Sequence, residues 1–226
     1  AAATWDGTVR VWGPDGQELG HLRHRSSQVE RLVWDDAGRW VASVAQGPEV
    51  RLLDAHTGEA GPRLVANGDR LFCVAVLPDG RVAAAGDKGI VYIWNLDAPK
   101  QPRILVGHAG RVGQLVAGAS GRILLSGGAG GDVRVWALDG QSDFVLSADG
   151  AGAVKSLALS RTADSVVVGH LDGTVRIWPL LRADLVDRLW DSAAWCPPAG
   201  QLEELLGLGP IQADLSASAC QARTQP

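Results

Sequence analysis

Methionine is absent from the 226 residues, Tyr occurs once, Phe twice and Cys three times. The cysteines, Cys73, Cys196 and Cys220, form no CxxC pair and have no histidine at ligand spacing. That pattern argues against a disulfide framework and against a zinc site, so no metal or other cofactor is expected, and the setting inferred is a reduced, cytoplasmic one. No apolar run reaches the roughly 18 to 20 residues of a membrane helix. The opening AAATWDGT lacks the charged and apolar regions of a secretory signal, so a membrane is not an expected partner. Because the chain has no Met and starts inside a repeat, Ala1 is not expected to be the native start. Charge of one sign is also scarce: 21 basic residues face 25 acidic ones, net −4, with no long run of either. The electrostatic footprint of a nucleic-acid binder is missing. Lysine contributes 3 of the basic residues against 18 Arg, a bias that points to a GC-rich genome and not to a function.

What the chain has instead is repetition. The phrases DGTVRVW, PEVRLLD, GIVYIWN, GDVRVWA and DGTVRIW place Trp12, Leu53, Trp94, Trp136 and Trp178 about 41 or 42 residues apart. A strand-rich period of about 40 to 45 residues predicts an all-β propeller of four-stranded antiparallel blades. In the unit GHAGRVGQLVAGASGRILLSGGAGGDVRVW, the runs Arg111 to Ala117, Arg122 to Ser126 and Asp132 to Trp136 read as strands, and Asp139 to Leu146 supplies a fourth. The 29 glycines fall between these runs as turn residues.

One blade cannot bury both of its faces, so neighbours must cover them. Val29, Leu32 and Trp34, then Val112, Leu115 and Ala117, then Val154, Leu157 and Leu159 are the expected inter-blade positions of the innermost strands. The recurring tryptophans are expected to be packing residues, each burying about 150–250 Å².

These residues resemble the WD-repeat propellers over about residues 1–178, on the strength of the period, the DGTVR(V/I)W phrases and one Gly-His dipeptide. In that family a His, a Ser or Thr, an Asp and the Trp lock each blade through hydrogen bonds. The resemblance implies this role for His108, Ser126 and Trp136, with Gly130 where the Asp belongs. It implies the same for Asp172 and Trp178, with Val168 and Gly150 replacing Ser and His, and for Asp6 and Trp12. The unit ending at Leu53 keeps Ser43 but carries Arg25 and Gly47. The unit ending at Trp94 keeps none, having Ala66, Ala84 and Lys88, and is expected to be the least locked.

Strand counting gives three complete blades and two partial ones: a partial blade over 1–22, blades over about 23–65, 66–106 and 107–147, and a partial blade over 148–178. Residues 179–226 read as a short helical, partly disordered tail, with Leu181, Leu185, Val186, Leu189 and Trp190 on one helical face. Members of the family mostly close with seven blades, so missing upstream blades, or self-association through open edges, are expected to complete the ring. Such propellers with helical tails are often attached to bacterial signalling modules.

No catalytic constellation is visible. The Gly-rich run 127–131 is followed by a strand and not by the helix a phosphate loop needs. A propeller hydrolase or lyase would carry acids or histidines pointing into its channel. The innermost strands here offer Val, Leu and Ala, with Glu30, Gln114 and Lys155 scattered. The reading is a non-catalytic scaffold or sensor for a protein or peptide partner; the alternative is a propeller-fold enzyme acting in the central channel. Candidate partner-binding residues in the converging loops are Arg25, Gln28, Asp69, Arg70, Arg111 and His170, together with Asp87 and Lys88.

Overall fold

The computed structural model describes residues 1–25, 28–139, 144–146, 152–160 and 165–180. The expected helical tail from 181 onward lies outside the described residues. The chain divides into two units, Ala1–Trp178 and Pro179–Pro226, and the first holds the repeats. Among the described residues no helix is long and apolar enough to cross a membrane.

Among the described residues, alternating β-branched residues and Gly-containing turns give 18 antiparallel strands in five sheets. The first blade is β1 (Ala2–Ala3), β2 (Thr8–Trp12) and β3 (Glu18–Arg23). The second is β4 (Val29–Trp34), β5 (Trp40–Ala45), β6 (Glu49–Asp54) and β7 (Leu64–Val65). The third is β8 (Leu71–Val76), β9 (Val82–Gly86), β10 (Ile90–Trp94) and β11 (Arg103–Val106). The fourth is β12 (Val112–Ala117), β13 (Ile123–Gly128), β14 (Val133–Ala137) and β15 (Phe144–Leu146), and the fifth is β16 (Val154–Leu159), β17 (Ser165–His170) and β18 (Val175–Pro179). Each sheet keeps its strands in sequential order, so tight hairpins suffice as connections. Among the described residues three sheets have four strands, and the first and last have three. The hairpins before β2, β10, β14 and β18 turn on Gly7, Gly89, Gly131 and Gly173, whose positive φ values of 71–90° favour glycine.

Blades pack face to face in chain order. Val9, Val11 and Leu22 of the first blade meet Val41 and Leu53 of the second. Leu52 and Leu64 of the second meet Trp94 and Val74 of the third, and Val91 and Ile93 of the third meet Trp136 and Leu124 of the fourth. The repeated aromatic thus points at the preceding blade. That direction corrects the expectation of uniformly buried tryptophans. Trp94 and Trp136 are buried, but Trp12 is 40% exposed and Trp178 half-buried. Among the described residues no strand precedes β1 to cover Trp12. On the opposite face of the fifth blade Val175 and Ile177 are both 68% exposed, whereas Val91, Ile93, Val133 and Val135 at the same strand positions are buried.

Candidate functional site

The innermost strands β4, β8, β12 and β16 lie side by side, and each carries the same irregularity. The ladder register shifts between Val29 and Arg31, between Leu71 and Cys73, between Val112 and Gln114, and between Val154 and Ser156. A bulge sets one extra residue against the partner strand and re-aims the side chains beside it. The extra residues are Glu30, Phe72, Gly113 and Lys155, so four bulges in register build a rim of polar and aromatic groups at the starts of these strands.

Hydrogen bonds tie the rim together across blades. Gln46 Nε2 donates to Glu30 Oε1 at 2.8 Å and to Gln28 Oε1 at 3.4 Å, and Arg70 donates to Gln46 Oε1 at 3.3 Å. Arg31 donates to Gln114 Oε1 at 3.1 Å, and Gln114 Nε2 donates to the carbonyl of Lys155 at 2.8 Å. At the centre the guanidinium carbons of Arg111 and Arg70 sit 4.7 and 5.7 Å from the Phe72 ring centroid, within cation–π range. Asp87 stands 4.0 Å from Arg70. Of the loop candidates, Gln28, Arg70, Asp87 and Arg111 therefore meet in one rim, while Arg25 is exposed on the loop before β4.

Two candidates sit elsewhere. Asp69 is buried; its Oδ1 accepts from the Lys88 backbone N–H at 3.1 Å, and burial raises its carboxyl above the usual range. His170 is also buried, with its ring edge-on to Trp178 at 6.4 Å and its Nδ1 3.1 Å from the Gly152 carbonyl. Both side chains are buried, unlike the exposed groups of the rim. Cys73, on the β8 bulge, is fully buried, and burial pushes its thiol to about 12, which removes it as a nucleophile.

The blade locks differ from the sequence expectation in register. In the fourth blade, Trp136 Nε1 donates to Ser126 Oγ at 2.7 Å and His108 Nε2 lies 2.6 Å from the same oxygen. Asp132 Oδ2 approaches His108 Nδ1 to 2.7 Å. Asp132, two residues beyond Gly130, is therefore the acidic member. A Cβ at Gly128 would collide with both the Asp132 carboxylate and the His108 ring, which explains that glycine. In the second blade His24, and not Arg25, pairs with Ser43 Oγ at 2.8 Å. Its burial and the nearby Arg51 lower it to about 4. Asp6 and Asp172 brace their own turns instead of reaching a histidine. Asp6 accepts from Thr4 Oγ1, Thr8 N and Thr8 Oγ1, which bring it down to about 2, and Asp172 accepts from Thr174 Oγ1 at 2.7 Å and Thr174 N at 2.9 Å.

At the other end of the innermost strands, Trp34, Val76, Pro78, Ala117 and Leu159 line an open cleft of about 380 Å³. Trp34 is 44% exposed there, so it is not the buried inter-blade residue the alternation predicts. Among the described residues no three His, Cys, Asp or Glu side chains converge at metal-ligand geometry.

Comparison with known proteins matches the model of the family described as WD domain, G-beta repeat, at residues 62–95, 99–137 and 140–179. The chain is 36% identical over 97 residues to Nuclear distribution protein PAC1 of Yarrowia lipolytica, covering 39% of this chain and 22% of that protein. It is 23% identical over 124 residues to the F-box-like/WD repeat-containing protein TBL1X of Mus musculus, covering 55% of this chain and 24% of the relative, with the same identity to the Homo sapiens form, of which 22% is covered. The chain spans about a quarter of the length of these relatives.

Proposed function

Because the chain belongs to the WD-repeat family, we propose that it is a non-catalytic interaction scaffold that holds a protein or peptide partner on the rim formed by the four in-register bulges. The observation that carries this reading is the repetition of the bulge in every innermost strand. Bulges cost ladder hydrogen bonds, and four of them in one ring collect Arg31, Arg70, Phe72, Arg111 and Gln114 where a partner can reach them. A rigid sandwich of blades beneath presents this surface at low conformational cost.

The scaffold is proposed to serve within a larger cytoplasmic signalling or regulatory protein of bacterial type, a setting supported by the resemblance of its tail. The exposed faces at Trp12 and at Val175 and Ile177 are proposed to receive further blades, from a longer chain or a second copy. Light scattering separates these two sources: a discrete dimer supports the second copy, and heterogeneous aggregate supports the longer chain.

The test of the rim is a photo-crosslinking side chain at Gln46, on the rim, against one at Lys100, outside it. The scaffold reading expects protein adducts from position 46 and few from position 100. Equal labelling at both positions would remove it.

A further inference from the structure

We infer that the partner segment held on this rim is acidic, its carboxylates or phosphoryl groups read by Arg31, Arg70, Arg111 and Lys155 around the Phe72 ring. The inference rests on the scaffold reading above and names the chemistry of its partner. The rim's charge opposes that of the whole chain. The protein carries net −4, yet four exposed cations gather at the starts of the innermost strands. Three acids stand near these four cations: Glu30, which keeps its charge while accepting from the Gln46 amide, Asp87, at the 4.0 Å limit of a pair with Arg70, and Asp69, which is buried.

Arg111 has the Phe72 ring 4.7 Å from its guanidinium carbon and no carboxylate among its described contacts. A guanidinium resting on a ring face keeps its N–H edge free, and that edge suits the two oxygens of a carboxylate or phosphoryl group. Arg31 donates to the Gln114 amide oxygen, and that amide donates to the Lys155 carbonyl, so the Arg31 guanidinium is held across the neighbouring blades before any ligand arrives. A nucleic acid is the poorer fit. Its phosphate track would run beyond the patch onto a surface of net negative charge.

The test uses the 226-residue chain and fluorescein-labelled probes: a short peptide of alternating Glu and Ser, its serine-phosphorylated form, its Lys-for-Glu counterpart, and oligothymidylate. Fluorescence anisotropy is expected to show binding of the two acidic peptides, tighter for the phosphorylated one and weakened by salt. The Lys peptide is expected to stay free. Arg70→Glu with Arg111→Glu is expected to weaken acidic-peptide binding by about tenfold or more. Both side chains are exposed, so the melting curve should not move. Should it move, Arg111→Gln carries the test with an expected loss of about threefold.

Binding of the Lys peptide as tight as that of the acidic one, an affinity indifferent to the charge reversal, or equal binding of oligothymidylate would each overturn the inference. If no acidic probe binds while the crosslinker at position 46 still captures proteins, the acidic partner falls and the scaffold stands. If neither gives a signal, both fall.

Discussion

The third and fourth blades are neighbours of one length and one strand order, but they are held together by different chemistry. In the fourth, Trp136 donates to Ser126, Ser126 meets His108, and Asp132 faces the far side of that imidazole. The Asp132 carboxylate 2.7 Å from Nδ1 favours the tautomer with its proton there, which leaves His108 Nε2 to accept the Ser126 hydroxyl hydrogen. Burial, partly offset by Asp132, keeps that ring below its ordinary pKa. In the third blade Ala66 and Ala84 stand at the corresponding places, and the buried Trp94 Nε1 has no hydrogen-bond partner. Tyr92 stacks on Trp94 instead, at 5.7 Å and 21°, and every residue of β9 is buried.

When both faces of a blade are covered, the polar lock supplies only a small part of its stability. Burying one tryptophan over about 150–250 Å² is worth about 4–6 kcal/mol, against about 0.5–1.5 kcal/mol for a hydrogen bond. The third blade keeps the larger contribution and forgoes the smaller. It also supplies Arg70 and Phe72 to the rim, so the unlocked blade carries the centre of the proposed site.

The comparison breaks first at the tryptophans. Trp94→Ala and Trp136→Ala should each cost about 3–5 kcal/mol in urea unfolding, with or without a lock, whereas Trp12→Ala should cost about 1 kcal/mol because it is 40% exposed. Equal costs at positions 12 and 136 would mean that burial does not rank these sites. Ser126→Ala should cost about 2–3 kcal/mol, since it strands His108 Nε2 and Trp136 Nε1 together. A loss under about 0.5 kcal/mol in the same assay would make the lock ornamental.

Acidity should separate the blades next. His24 is lowered to about 4 and His108 is also lowered, burial being the first cause for both. The unfolded chain then binds more protons than the native one below about pH 6.5, so stability is complete above that value and falls as pH drops toward 4. The urea midpoint should be lower at pH 5 than at pH 7. His24→Gln with His108→Gln should flatten that slope; an unchanged slope would place the acid sensitivity elsewhere. The smallest effect expected is a gain. Ala84→Ser supplies an acceptor to Trp94 Nε1, as Ser126 does for Trp136, and should raise stability by about 1 kcal/mol. A loss on this substitution would show that the third blade has no room for a lock.

Much of this architecture was legible in the repeated phrase. The strand expected over Arg122 to Ser126 is Ile123–Gly128, and that over Asp132 to Trp136 is Val133–Ala137. Fixed counting from the tryptophan failed for the lock, because loops and hairpins change length while strands do not. It missed Asp132 by two positions and His24 by one. The signal that would have found Asp132 is chemical: it stands where Thr8 and Thr174 stand in the DGT turns, and it is the one acid between Gly131 and Trp136. The bulges left a fainter trace. Val112, Leu115 and Ala117 are spaced by three and then two, which a regular strand does not permit. Burial of Asp69 and His170 depends on contacts from neighbouring strands, and no local pattern in the sequence reports those.

The rim is the claim on which the functional account depends, and it is tested most directly by quantitative capture of bound proteins on the wild-type chain, on Arg70→Glu with Arg111→Glu, and on Lys100→Glu outside the rim. The account predicts that specific captures fall by about tenfold for the double variant and stay unchanged for Lys100→Glu, with all three chains melting alike. Identical capture profiles for wild type and the double variant would contradict it.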